Sequence, residues 1–547
     1  MFGLVARLAH PKTPTRYGLS MATDTRVWRK AYHKEGKTRD VERLYRVLVA
    51  VVILLTASLL ALQAIYNNHI SGIAEYDDGV YMLASLQVLH GLSPYKDFVF
   101  LQPPLITLWL APASALASIY DTKIAFEAAR LLTDLVTLLN VVVLARLLRG
   151  RSPFAAAAGV GVYAFSFASI QASQSVLIEP YLDLLCLVAL NFLFERGELT
   201  TSTRRTGIGA LIFGLAGATK VWAFFPFIVL VVLVSRRNPK LLAYLVAGTS
   251  VGFIGSVLPF VGSDPTAFIQ QTLFDQGVRG FSGEGLASRL ANLSGVGWMS
   301  VIAHRLPFIV YALGLVVLIL AFYGFKRSRH RSAKTQVISL KTYALTTSVV
   351  VAATLLAAPP FYYHYGAFLS PFVGLLVGSS DLTNAVPDTI ARLSSKSRRI
   401  ILLLVTGITF VTLLSGDVFV ALHPPDGTTP IPKNFLSKVR TSGCVLTNEP
   451  SLTILADAVT SFEKGCPEVV DWNGTERRYT NGISGEPANA KNASLQNLFI
   501  SWLKRSNTVV LSTIDKGLGT TAHLYLRKDF RSTFFQRLGV TLYQRKR

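Results

Sequence analysis

The feature that most constrains this chain is a series of apolar runs, each about as long as a bilayer is thick, separated by short blocks of basic residues. A helix needs roughly 20 predominantly apolar residues to span the hydrocarbon core. The candidate spans are 47–66, 131–147, 153–170, 180–194, 207–219, 221–235, 241–261, 303–324, 342–358, 366–383 and 400–420. A further run, 103–119, starts at Pro103-Pro104 and contains Pro112. Only 16% of the 547 residues are charged and 51% are apolar. So few charges cannot coat the surface of several soluble domains, and the same figures exclude disordered, collagenous and disulfide-rich chains. The expected fold class is an all-α polytopic membrane protein.

The net charge of +23 is concentrated in the basic blocks. In a soluble protein it would point to nucleic acid, but no block carries the interleaved aromatics that stack on bases. The pattern is instead that of cytoplasmic loops under the positive-inside rule. Residues 1–46 carry 11 Lys/Arg against 4 acids, which places the N-terminus inside. Further blocks are Arg146/Arg149/Arg151, Arg204/Arg205, Arg236/Arg237/Lys240, Lys326/Arg327/Arg329/Arg331/Lys334 and Arg392/Lys396/Arg398/Arg399. All of them fall inside if 103–119 does not cross, and all of those downstream of it fall outside if it does. We therefore read 103–119 as an interfacial or re-entrant helix.

The expected organisation follows. Residues 1–46 form a basic cytoplasmic segment, 47–420 a membrane domain of about 11 spans, and 421–547 a small extracytoplasmic α/β domain. Met21 is an alternative start, and no cleavable signal peptide is visible in the basic N-terminal segment. Strand-like runs occur at Cys444–Thr447, Thr508–Ser512 and Val540–Tyr543. Cys186 lies in an apolar run, whereas Cys444 and Cys466 could pair if their region is outside the cytoplasm. Three sequons, at Asn292, Asn473 and Asn492, also fall outside in this topology.

The first outer loop, 67–130, carries the strongest chemical signal. It reads Glu75-Tyr76-Asp77-Asp78-Gly79-Val80-Tyr81, followed by a helical pattern that stops at Gly91. Either Asp could simply cap that helix. A pair of acids at the membrane surface also suits general-base chemistry, and a capping position would fix a carboxylate there. Next come Pro94-Tyr95-Lys96-Asp97-Phe98 and Gln102-Pro103-Pro104-Leu105.

An acidic pair, Gly-x-Tyr, PY-x-DF and PPL, in that order on such a chain, resemble the GT-C superfamily of membrane glycosyltransferases that use polyprenyl-phosphate sugars. The resemblance is to the branch of protein O-mannosyltransferases and the lipid A aminoarabinose transferase, glycosyltransferase family 39-like. It is sharpest over residues 70–225. It implies a catalytic carboxylate at Asp77 or Asp78. The family pattern is usually Asp-Glu, so the Asp-Asp here leaves the choice open, with Asp77 in the first-acid position. The implied reaction is a single displacement on a sugar whose lipid phosphate leaves. A nucleotide-sugar donor fits poorly, being cytoplasmic while the acidic loop is outside.

Other polar residues at membrane depth are candidates by default. Glu179, before Pro180, matches an outer acidic position of the family and could orient the acceptor or support the base; pairing with a nearby cation is the alternative. Lys220, Arg279 and His364 are candidates for the donor phosphate, though Lys220 could snorkel and Arg279 could form a loop salt bridge. Tyr81, Tyr95, Asp97, Trp222 and Tyr362 are candidate substrate contacts, with interfacial aromatic belts accounting equally for the last two. Asp77, Asp78, Glu179 and His364 could jointly hold a divalent cation, but no cofactor is required by the sequence. The expected partners are a polyprenyl-phosphate sugar, an extracytoplasmic acceptor and the bilayer. The C-terminal Gln544-Arg545-Lys546-Arg547 is not an endoplasmic reticulum retention signal, so the expected location is a bacterial plasma membrane. Competing classes are a transporter or flippase, for which no inverted repeat is seen, and a non-catalytic envelope scaffold.

Overall fold

A computed structural model of the chain describes residues 25–66, 69–297, 337–380 and 407–546, with breaks of at most seven residues. The side chains of residues 25–38 are outside that description, as is the expected span 303–324; the span at 400–420 is described only in part. The chain divides into two units, residues 1–44 and 45–547. The first, where described, is the beginning of helix α1 (Thr25–Tyr66).

The second unit is mostly helical. Its elements begin with α2 (Tyr76–Leu89), α3 (Leu105–Ser114) and α4 (Thr122–Leu148). They continue through α5 (Pro153–Ala164), α6 (Phe167–Ser173), α7 (Glu179–Leu193), α8 (Thr203–Thr219), α9 (Phe224–Ser235) and α10 (Pro239–Val261). After a break come α11 (Leu340–Ala357) and α12 (Gly366–Ser379). Among the described residues, four helices are long and apolar enough to cross a membrane: Arg39–Tyr66, α4, α10 and α11. The expected span 153–170 is broken, because α5 and α6 meet at 51°. There the Phe167 N–H donates to the Gly295 carbonyl rather than continuing the α5 ladder. The run at 103–119 forms an apolar helix over Leu105–Ser118 only. At 1.5 Å per residue that is roughly 21 Å, shorter than the hydrocarbon core.

Small residues let the helices approach. A Cβ built on Gly214 of α8 would lie 2.3 Å from the Thr249 carbonyl oxygen, and one on Gly252 of α10 would lie 2.1 Å from that of Leu211. This is the close backbone packing that association in lipid favours. The helices α7 and α8 share both ends, and α4 joins them at one. At one end, Lys220 after α8 pairs with Glu179 at the start of α7. At the other, Arg205 at the start of α8 donates to the carbonyls of Asn191 and Phe192 near the end of α7. Asn191 in turn donates to the Val143 carbonyl near the end of α4. The Arg146 and Arg204/Arg205 blocks therefore sit at the end of the bundle opposite Glu179 and Lys220.

Beyond α12 the chain builds a four-stranded sheet from β3 (Val445–Thr447), β4 (Thr508–Ser512), β5 (Phe530–Phe535) and β6 (Val540–Arg545), in the order β3-β4-β6-β5; a separate hairpin pairs β1 (Phe194–Glu195) with β2 (Glu198–Leu199). The β3–β4 pair is parallel, Val445 opposite Thr508, and the other two pairs are antiparallel. Strand β5 alternates exposed and buried side chains only loosely, so the sequence gives it no clear period. One sheet face packs Trp472, Phe499 and Trp502, and the other packs Phe435, Leu452 and Phe535. Cys444 and Cys466 form a disulfide. Cys186 is buried and free. Helix α13 (Pro450–Leu455), which follows β3, lies directly on α2, and Ile454 and Leu455 join the apolar cluster beneath α2 and α3.

Candidate active site

The site is organised by the first turn of α2. Its N-cap is Glu75, so neither Asp is the capping residue; Asp77 and Asp78 follow in the first turn, where the helix dipole favours negative charge. The two carboxylates then diverge. Asp78 is fully buried, its Oδ2 2.6 Å from Arg130 Nη2 of α4 and its Oδ1 accepting from the Ser451 hydroxyl at 2.9 Å. Burial pushes the Asp78 carboxyl above its usual range, and Arg130 and Ser451 pull it part of the way back. Arg130 also donates to the carbonyls of His69, Ile70 and Gly72, tying the start of the outer loop to the same point. Gly79 is needed next: a Cβ there would lie 2.5 Å from the backbone nitrogen of Ser451.

Asp77 points the other way, into a cavity of about 210 Å³. The cavity is lined by Glu75, the N-cap of α2, by Asp77 and Tyr81 of α2, by Gln276 and Arg279, by Tyr362 and His364, and by Asp471, Asn473 and Arg477 from the C-terminal region. The Tyr81 hydroxyl donates to Asp77 Oδ2 at 3.3 Å, one helical turn on. Arg279 is aimed by its donation to the Tyr362 hydroxyl at 3.0 Å and to Gln276 Oε1 at 3.2 Å. The Tyr363 hydroxyl donates to Glu75. Asp471, in the turn before α14 (Trp472–Thr480), accepts from the Tyr76 hydroxyl at 2.9 Å and from the Gly474 N–H at 2.8 Å. Burial raises the Asp471 carboxyl despite the nearby Arg477.

Behind this cavity stands a second polar group. Lys220 Nζ is 2.6 Å from Glu179 Oε1, and His364 Nε2 is 3.8 Å from the same oxygen. The Lys220 ammonium also sits 3.7 Å from the Trp222 ring centroid. Burial holds the His364 imidazole below its ordinary pKa, against the pull of Glu179. His364 thus links the cavity to the Glu179–Lys220 pair.

The structure brings Asp77, Tyr81, Arg279, Tyr362 and His364 to one cavity, with Glu179, Lys220 and Trp222 behind it. It does not bring Asp78, Tyr95 or Asp97 there. The PY-x-D segment builds a turn instead: the Tyr95 N–H donates to the Phe98 carbonyl, and Asp97 Oδ2 accepts from the Ser93 N–H at 2.7 Å. Tyr95 is held at φ 73°, a conformation an L-residue with a bulky side chain adopts only when its surroundings impose it. No group of three or more His, Cys, Asp or Glu is placed to hold a metal ion among the described residues. The four residues considered for a cation are instead drawn to separate partners, Asp78 to Arg130 and Glu179 to Lys220. Glu75, Gln276, Asp471 and Arg477 were not singled out from sequence. The last two lie about four hundred positions from Asp77, with no motif to link them. Of the sequon residues, Asn473 lines the cavity, Asn292 is buried and Asn492 caps a helix through the Leu495 N–H.

A carboxyl next to this site carries a pH signature. Burial, with the Asp78 charge second, lifts Glu449 to about 8. The folded chain then holds a proton that an unfolded chain releases near pH 4.3. Stability should therefore fall as pH rises between about 4.3 and 8. In thermal unfolding of the detergent-solubilised protein across that range, Glu449→Gln should have a flatter midpoint profile than the wild type and a higher midpoint at pH 8. Parallel profiles would refute it.

The family model of glycosyltransferase family 87 matches residues 100–342. No curated protein matches the chain in sequence. The fold is similar to that of ArnT from Cupriavidus metallidurans, solved bound to undecaprenyl phosphate, at 13% identity over 90% of this chain and 98% of that chain, with a TM-score of 0.55. It is also similar to the oligosaccharyltransferase of Archaeoglobus fulgidus, solved with zinc and sulfate, at 11% identity over 85% of this chain and 68% of that chain, with a TM-score of 0.50. At such identities the likeness is one of fold.

Proposed function

We propose that the chain is a GT-C membrane glycosyltransferase that moves a sugar from a polyprenyl-phosphate donor to a hydroxyl of an extracytoplasmic acceptor, with Asp77 as general base. The observation that carries the reading is the divergence of the two acids: Asp77 lines the cavity together with Arg279, while Asp78 is occupied by Arg130. In the proposed step the acceptor oxygen attacks the anomeric carbon as its proton passes to Asp77. The bond from that carbon to the phosphate oxygen breaks, and polyprenyl phosphate leaves with the electron pair. One displacement inverts the anomeric centre.

Arg279, in the cavity wall, offers its planar fork to the phosphate. Lys220 contributes positive charge from behind, held by Glu179 and the Trp222 face. Tyr81 and Tyr362, fixed on Asp77 and Arg279, supply hydroxyls to the sugar. The fold likeness to ArnT, whose structure holds undecaprenyl phosphate, supports a lipid phosphate as the leaving group. Asn473 and Arg477 give the C-terminal region a share of the cavity wall, which suits acceptor selection. The test is release of free polyprenyl phosphate by the purified protein in nanodiscs, offered a panel of polyprenyl-phosphate sugars with candidate acceptors. Binding of no donor in the panel would sink the reading.

We place the cavity outside and the Arg146 and Arg204/Arg205 end inside, in a bacterial plasma membrane, on the positive-inside rule. The Cys444–Cys466 disulfide suits an oxidising outer compartment. A membrane-impermeant thiol reagent should label intact cells only after treatment with an impermeant reductant, and not in a Cys444→Ser/Cys466→Ser variant. Labelling that appears only after lysis would reverse the orientation.

A further inference from the structure

We infer that the end of the bundle opposite the cavity binds an anionic phospholipid. A cavity of about 440 Å³ lies there, where α4, α7 and α8 meet. Its floor is Val188, Asn191 and Phe192 of α7, one turn of a single helical face. One wall carries Val143 and Arg146 from α4, and the other carries Arg204, Arg205 and Ile208 from α8. The site combines an apolar trough with cationic groups at its mouth.

The three arginines have different duties. Arg205 is fixed, with Nε and Nη2 donating to the Phe192 and Asn191 carbonyls. Its Nη1 is 3.7 Å from Glu195, an exposed carboxylate whose pull is weak in water. Arg146 and Arg204 have no acidic partner among the described residues. Both are exposed at the mouth, with their forks free to take two oxygens of one phosphodiester.

The apolar wall decides between a lipid and a free anion. From the arginines toward the middle of the bundle, Leu139 and Val142 of α4 and Ile208 and Leu211 of α8 are exposed large apolar side chains. They continue the trough as a track in which acyl chains can lie while the phosphate stays at the arginines. Basic pockets between spans on the cytoplasmic side are where anionic headgroups settle. Helix α7 alone separates this pocket from Glu179 by roughly 14–20 Å, so the lipid is not the sugar donor of the cavity. Its expected effect is to pin the α4, α7 and α8 ends together.

The test is native mass spectrometry of the full-length detergent-purified protein titrated with phosphatidylglycerol, against phosphatidylcholine and inorganic phosphate. One phosphatidylglycerol should be retained preferentially. Arg146→Gln and Arg204→Gln should each weaken retention, and together by tenfold or more. The Arg146→Lys/Arg204→Lys variant should keep most of it. All variants should retain the wild-type unfolding temperature in lipid-free detergent, because neither side chain anchors the fold. Equal retention of phosphatidylcholine, undiminished retention in the double Gln variant, or displacement by millimolar inorganic phosphate would each overturn the inference.

Discussion

Asp77→Asn should abolish sugar transfer while leaving the donor bound. The substitution is close to isosteric, and the Tyr81 hydroxyl that donates to Asp77 at 3.3 Å can donate equally to an amide oxygen. Helix α2 therefore keeps its geometry. What is lost is the ability to take the acceptor's proton. A positioned general base is worth about 10²–10⁴-fold in rate, and here the fall should be in kcat rather than KM. The groups proposed for the donor phosphate, Arg279 and Lys220, are untouched. The measurement is polyprenyl phosphate release under saturating donor, beside donor binding to the same preparation. Loss of both together would make Asp77 a binding residue, and near-normal release would remove it from the chemistry altogether. Asp77→Glu keeps the carboxylate but extends it by one methylene, and should recover part of the rate; a variant as dead as Asn would mean that placement dominates.

Much of this site was legible because a short motif packs several jobs into consecutive residues. The order Asp77-Asp78-Gly79-Val80-Tyr81 now has a physical reading: a carboxylate in the cavity, a buried anchor, a backbone contact with α13, and a hydroxyl returned to the first acid one turn on. The sequence could not divide the roles of the two acids, because the division depends on Arg130, fifty-two positions away, and on Ser451 in the C-terminal region. The PY-x-D segment shows the same limit from the other side: it marks a turn held by its own backbone, and reads as polar chemistry only when the turn is not seen. The helical class followed from apolar run length, and charge put the Arg146 and Arg204/Arg205 blocks at the end away from Glu179 and Lys220, where the structure has them. The break between α5 and α6 did not, since it is set by a hydrogen bond to Gly295. Nor did the involvement of Asp471 and Arg477, which depends wholly on how the sheet region packs over α2.

Asp78→Asn, by contrast with its neighbour, should fail in folding before it fails in chemistry. Arg130 is fully buried, and so is the carboxylate it meets at 2.6 Å. Removing one partner of a buried pair leaves the other charge uncompensated, at a cost of about 3–5 kcal/mol. Arg130→Met should cost a similar amount, because it frees Asp78 and also releases the His69, Ile70 and Gly72 carbonyls. The expected observation is a markedly lower unfolding temperature and a poor yield of folded protein for each single variant. The double variant Asp78→Asn/Arg130→Met should be less destabilised than the sum of the two, since no buried charge is then left alone. Release of polyprenyl phosphate, normalised to folded protein, should survive in Asp78→Asn far better than in Asp77→Asn. A stable Asp78→Asn protein without turnover would exchange the roles of the two acids. Strict additivity in the double variant would mean that the pair does not tie α2 to α4, and the separation of anchor from base would have to be argued on other grounds.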